Sequence, residues 1–232
     1  MNTVSQDNRL SKAFSNPFST RFTRPGEIPY LFADSAGLGS LVDRFGHQGW
    51  VGQIVGAHGC GKTTLCHALA AELVHLFPKV NHVTIRSGKD ILSKSVEHSE
   101  LGSGLDPNHD RTSVRTLTIV DGVERLSLLQ QRMLVSNLSR TRGISSREDH
   151  ANPKAGSNGL LITSHRRLKF VPVLYSITPS VSTFESVAKF LDPSLDMSQS
   201  ELSETFAAAG QNIREAIMLL YDRHESLHKS QP

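Results

Sequence analysis

Residues 56 to 64 read GAHGCGKTT. Gly56, Ala57, His58, Gly59, Cys60, Gly61, Lys62 and Thr63 satisfy G-x-x-x-x-G-K-[ST], the pattern of a loop that cradles the phosphates of a nucleoside triphosphate. Glycines let the backbone turn so that amide N–H groups face inward, and the helix that follows adds the partial positive charge of its N-terminus. Lys62 is expected to reach the β- and γ-phosphates, Thr63 to give its hydroxyl to a magnesium ion, and Thr64 to complete the binding set. His58 and Cys60 occupy unconstrained positions of the pattern and are expected to be exposed filler.

A second candidate is the carboxylate in LTIVDGVERL, residues 117–126. An apolar strand ending in Asp121 suits a metal-binding acid, which holds magnesium opposite the loop threonine. The next residue is Gly122, so no carboxylate follows directly. Glu124 lies two residues further on. If a helix begins there, a two-residue shift turns a side chain by about 200°, which favours a Glu124 that faces solvent over one that activates water. On that reading a Gly122→Glu change is expected to raise turnover.

These residues need elements to position them. Trp50–Val55 reads as a buried strand, and Lys62–Phe77, with Leu65, Leu69, Leu73 and Leu76 at helical spacing, as a helix stopped by Pro78. Further strands are expected at 80–88, 116–122, 159–165 and 171–177, and a helix near 37–45. Residues 1–20 are polar and expected to be disordered. The Pro25-Gly26 turn and aromatic residues of 21–32 suggest an ordered strap laid on the core. The stretches 87–114 and 140–158 carry little apolar periodicity and read as long loops or insertions. Near the C-terminus, Gly210 suits the residue after a helix, and Asn212 with Glu215 resembles the cap of the next, whose buried stripe is Ile213, Ala216, Ile217 and Leu220. Arg214 falls beside that stripe.

The 232 residues are 38% hydrophobic, enough for one α/β core with an appendage. Two cysteines, Cys60 and Cys66, are too few and too close for a disulfide framework or a zinc site, and suggest a reducing compartment. No run of about 20 apolar residues could span a bilayer, and the N-terminus lacks the apolar stretch of a signal peptide. The expectation is a cytoplasmic protein away from membranes. A net charge of +3, with the basic residues dispersed, gives weak support to a nucleic-acid partner without excluding one.

The segments taken in order resemble the AAA+ type of P-loop ATPase, with a lid like that of clamp loaders and initiators. LLITSH (160–165) is similar to sensor 1, whose polar tip residue would be Thr163 or Ser164, and Gly210, Asn212, Ile213 and Arg214 are similar to the sensor 2 pattern. The resemblance implies an α/β fold, a P-loop NTPase three-layer sandwich with a five-stranded, mainly parallel sheet and a small C-terminal helical lid. It divides the chain into a nucleotide-binding domain, 21–178, and a lid, 179–228. Lys62, Glu124, Ser164 and Arg214 become the expected catalytic set, Thr63 and Asp121 the metal ligands, and ATP with Mg2+ the cofactors. Arg140, Arg142, Arg166 and Arg167 are candidate fingers toward a neighbouring subunit, in a homo-oligomer or a complex with a protein partner. Because Gly122 stands where the family usually has a glutamate, two functions stay open: an ATPase that drives a conformational change, and a nucleotide-binding switch or scaffold with little hydrolysis. His165 would suit the switch histidine of ABC-type ATPases, but no LSGGQ-like signature accompanies it.

Overall fold

A computed structural model of the chain describes residues 16–32, 37–85, 115–140 and 158–229. The two expected insertions lie outside the described residues, apart from Arg140 and Asn158 at their ends.

In chain order the elements are α1 (Thr20–Thr23), α2 (Leu38–His47), β1 (Val51–Gly56), α3 (Lys62–Glu72), β2 (Lys79–Thr84), β3 (Thr116–Asp121), a 3-10 turn at Val123–Arg125 and α4 (Leu128–Arg140). Then follow β4 (Gly159–Ser164), β5 (Val173–Ile177), α5 (Val181–Leu191), α6 (Gln199–Ala208) and α7 (Ile213–Lys229). The strands form one five-stranded sheet in the order β2-β3-β4-β1-β5. Its β1–β4, β3–β4 and β2–β3 pairings are parallel. Parallel strands are covered on both faces, which explains why β1 and β4 are buried almost throughout. Each expected strand is present within a few residues of its predicted ends. Helix α3 is shorter than expected: it ends at Glu72, and a looser turn carries the chain to Phe77, whose amide donates to Leu73 O at 2.8 Å. Among the described residues no helix is long and apolar enough to cross a membrane.

The described residues group into two compact units. One is drawn from Gly37–Gly56 and Cys66–Ser176, the other from Met1–Ala36, Ala57–Leu65 and Ile177–Pro232. In the first, Val51, Ile85, Val120, Val123, Leu160 and Ile162 belong to one buried cluster. The start of β1 is fixed there by aromatic edges, with Trp50 between Phe45 and Phe77 at centroid distances of 5.5 and 5.3 Å. The guanidinium of Arg115 lies 4.6 Å from the Phe77 ring.

The second unit has its own core. Phe184, Val187, Leu191, Leu202, Phe206, Ile213, Ala216, Ile217 and Leu220 are buried together, so the stripe read from the sequence of α7 faces its partners as expected. Ser198 and Glu201 form a capping box at the start of α6. Two expectations need correction here. Residues 16–20 are ordered: Phe18 is buried in this cluster, and Asn16 Nδ2 donates to Tyr221 O at 2.9 Å and to Glu225 Oε1 at 3.0 Å. Polar composition hid one large aromatic anchor. The strap at 21–32 also packs differently from the sequence reading, since Phe22, Ile28 and Leu31 lie against these helices.

Candidate functional site

The phosphate-loop sequence leaves β1 at Gly56 and runs into α3 at Lys62, so it has the strand–loop–helix setting its chemistry requires. Gly59 adopts φ +68°, and a Cβ built on it would lie 1.8 Å from Asn212 Oδ1. Only glycine fits that position, on both torsion and space. The Tyr30 ring approaches the loop at Gly61, 3.5 Å from where a Cβ would stand, and meets Phe32 edge to face. Lys62 is largely enclosed, and its ammonium donates to Ala57 O at 2.7 Å, so it is curled across the loop's own backbone. His58 is exposed as expected. Cys60 is not: it is 4% exposed, and burial pushes its thiol pKa up, with the nearby charge of Lys62 opposing in part. The loop turns that side chain inward, which the spacing pattern could not reveal. Thr63 and Thr64 are half-buried.

Asn212 was legible as a cap and nothing more. Its Oδ1 accepts from the amides of Arg214 at 3.0 Å and Glu215 at 3.3 Å, closing the start of α7. Gly210 and Gln211 both have positive φ, which reverses the chain between α6 and α7 and delivers Asn212 to Gly59. No sequence signal pointed to that contact. Arg214 itself is exposed.

The acid end of β3 sits in the other unit. Because β3 and β4 pair in parallel with Val120 opposite Ile162, the next residues, Asp121 and Thr163, fall side by side, and Thr163 Oγ1 donates to Asp121 Oδ1. Strand alternation sends the following residue the other way. Ser164 is fully buried, and its hydroxyl lies 3.3 Å from Gln53 Oε1. Gln53 in turn accepts through Oε1 from the Leu168 amide at 2.9 Å and donates through Nε2 to Leu168 O at 2.8 Å. The structure thus separates the two sensor candidates by placement: the Ser164 hydroxyl helps hold the 164–171 turn, and Thr163 is the one beside the acid. The two strand ends in the sequence could have shown this had register been known.

The expectation that Glu124 opens a helix and rotates toward solvent also fails. Gly122 takes φ +86° and turns the chain before a single 3-10 turn. Glu124 Oε1 comes to rest 3.5 Å from His165 Nδ1, with each side chain only about a quarter exposed, 28% and 25%. Its other oxygen, Oε2, is buried and has no hydrogen-bond partner among the described residues. A Cβ at Gly122 would lie 2.6 Å from the carbonyl oxygen of Ile85. The position after Asp121 thus has no room for the side chain that the family resemblance would place there. Of the candidate fingers, Arg166 and Arg167 are exposed, while Arg142 lies outside the described residues.

No protein-family model and no curated protein sequence matches the chain. Solved structures do. Domain III of the replication initiation protein DnaA from Thermotoga maritima superposes with a TM-score of 0.50 at 16% identity, covering 84% of this chain and 88% of that one. AMPPCP-bound DnaA from Aquifex aeolicus gives 0.51 at 17% identity, covering 87% of this chain and 63% of that one. Drosophila ORC bound to DNA gives 0.51 at 12% identity, covering 98% and 70%. At such identities the likeness is one of architecture, and it agrees with the sheet order, the loop and the three C-terminal helices: the chain has the fold of the AAA+ P-loop ATPases.

Proposed function

We propose that the chain is a magnesium-dependent ATP-binding protein and an AAA+-like ATPase that uses hydrolysis to drive a conformational change in itself or in a partner. The loop Gly56–Thr63 carries this reading. It joins a complete phosphate-loop sequence to a strand and a helix, and its lysine already donates to an oxygen acceptor of the loop backbone at 2.7 Å. Phosphate oxygens are stronger acceptors than that carbonyl, so Lys62 would exchange one for the other. The Aquifex neighbour was solved bound to AMPPCP, which supports a nucleotide as ligand. The absence of an Asn-Lys-x-Asp guanine motif from the sequence favours ATP.

In this proposal Gly56 to Thr64 bind the phosphates, and Thr63 and Asp121 hold magnesium, which neutralises phosphate charge when bound. Arg214 stands in the lid, residues 179–228, and residues 21–178 form the nucleotide-binding domain. The partner is a second copy or another protein. DNA has the support of one neighbour, solved bound to DNA, and of a modest charge of +3. A cytoplasmic setting suits the two buried free thiols.

Calorimetry with magnesium-ATP tests the binding part. Lys62→Ala is expected to abolish the heat of binding, and unchanged affinity would reject the assignment. One observation favours a second reading, a nucleotide-binding switch or scaffold: Gly122 leaves no carboxylate directly after Asp121. Phosphate release by the purified protein, alone and with added DNA, RNA or cell extract, separates the two.

A further inference from the structure

We infer that Asn212 is a positioning residue of the nucleotide site: from the start of α7 its carboxamide holds the phosphate loop at Gly59, and triphosphate binding requires that this side chain be uncharged. The inference rests on the phosphate-loop reading above and adds to that site a residue outside the loop pattern, supplied by the C-terminal helices.

The segments concerned, 57–65 and 177–232, belong to one compact unit of the fold. In the loop two glycines take positive φ, Gly59 at +68° and Gly61 at +95°, and another segment approaches each: Asn212 at Gly59 and Tyr30 at Gly61. The first approach is the closer. A Cβ at Gly59 would lie 1.8 Å from Asn212 Oδ1, 2.6 Å from its Cγ and 2.9 Å from its Nδ2, so the carboxamide occupies the space that a side chain there would take. Its oxygen therefore stands no more than about 3.3 Å from the Gly59 Cα, close enough for a Cα–H···O contact.

The carboxamide is held in that place. Oδ1 accepts from the amides of Arg214 and Glu215, the Asn212 amide donates to Ala209 O at 3.2 Å, and the positive φ of Gly210 and Gln211 sets the turn behind it. With Oδ1 committed to the cap, Nδ2 is left as a donor that has no hydrogen-bond partner among the described residues. For α7 alone serine or aspartate would cap as well, and aspartate would add a favourable charge at the helix start. The loop sets a further demand. Serine is shorter and lacks the planar group that lies against Gly59. Aspartate keeps the shape but replaces the donor with a charged acceptor, beside a loop proposed to hold a triphosphate. Asparagine joins the cap, the reach and the neutrality.

The experiment compares the full-length wild type with Asn212→Asp and Asn212→Ser at about pH 7, where the new aspartate is ionised. Thermal melts report the cap, and calorimetry with magnesium-ATP and magnesium-ADP reports the site. Ser198→Ala, which removes the cap of α6, is the control for a loss of stability alone. Both Asn212 variants keep a capping oxygen and are expected to melt near the wild type. Asn212→Asp is expected to weaken ATP about tenfold or more and ADP by less, with a deficit that shrinks between about 0.05 and 0.5 M salt as the added charge is screened. Asn212→Ser is expected to weaken ATP about two- to fivefold, with the salt dependence of the wild type. Ser198→Ala is expected to melt lower and bind ATP as the wild type does. Either Asn212 variant, folded and binding ATP as tightly as the wild type, overturns the inference and leaves the phosphate-loop assignment standing. So does a Ser198→Ala protein that loses as much affinity as they do. An aspartate deficit equal for ATP and ADP and unmoved by salt overturns the requirement for neutrality. A wild type that binds no ATP overturns the reading beneath as well.

Discussion

Replacing Gly122 with alanine puts a methyl group where the fold has none to spare. Gly122 has φ +86°, a region that costs an L-residue about 1–2 kcal/mol. The new Cβ would also stand 2.6 Å from Ile85 O. That oxygen cannot simply swing aside, because the Ile85 amide is bonded to Asp121 O at 2.8 Å, and Thr84 is in register with Asp121 across the β2–β3 pair. Forcing an atom into such a space costs about 1–3 kcal/mol. The sum, about 2–5 kcal/mol, is a large share of the about 5–15 kcal/mol that holds a domain folded, and for a chain of this size it lowers the melting temperature by about 5–20 °C. Thermal melts followed by circular dichroism measure it. Asparagine separates the two terms: it tolerates positive φ, so Gly122→Asn should recover the torsional part and keep the steric part. Gly122→Ala melting within about 2 °C of wild type would refute the steric argument, and so would an asparagine variant as stable as wild type. By the same geometry Gly122→Glu, which sequence reasoning expects to raise turnover, should destabilise the β2–β3 ends and leave turnover no higher.

Two further outcomes follow from burial and charge. Cys60 is enclosed and its thiol pKa is raised by burial, so at neutral pH a thiol reagent should label it slowly in the native protein whether or not ATP is present, and quickly after denaturation; fast native labelling in an absorbance assay would contradict the buried position. The Glu201 carboxylate is held down to about 2 from an ordinary 4.5 by the Ser198 backbone amide first, then the Arg223 and Ser198 side chains. A depressed folded-state pKa means its contribution is complete above about pH 4.5 and fades as pH falls toward 2. Acid melts of the wild type should therefore drop more steeply over that window than those of Glu201→Gln, and parallel curves would count against the capping arrangement.

Much of the fold was legible because its signals are local. The strands announce themselves as apolar runs, the loop as a fixed spacing, and α7 as a stripe of Ile213, Ala216, Ile217 and Leu220 behind a capping asparagine. The misreadings share a cause in geometry that no single segment contains. Ser164 and Thr163 are chemically alike, and only the register of β4 against β3 decides which one faces Asp121. Glu124 was expected to rotate away because a helix was assumed to start at once; the left-handed Gly122 inserts a different turn. Cys60 carries no mark of its burial, and Phe18 sits in a polar stretch whose composition outvoted it.

The closeness of Gly59 and Asn212 also bears on how such a sequence can drift. Each position looks replaceable alone: a glycine in a loop by alanine, a helix cap by serine, threonine or aspartate. Yet a side chain at 59 would compete with the asparagine for one volume, since a Cβ there would lie 1.8 Å from the asparagine oxygen. A branched or longer cap at 212 would press on the loop backbone, and any β-carbon at 59 would evict the cap. Across descendants of this chain a β-carbon at 59 should therefore appear only where 212 has already become smaller, while 212 may change to a cap no larger than asparagine with Gly59 in place, a one-way dependence between sites far apart in sequence that would be invisible to anyone scoring the phosphate loop and the C-terminal helix as separate motifs.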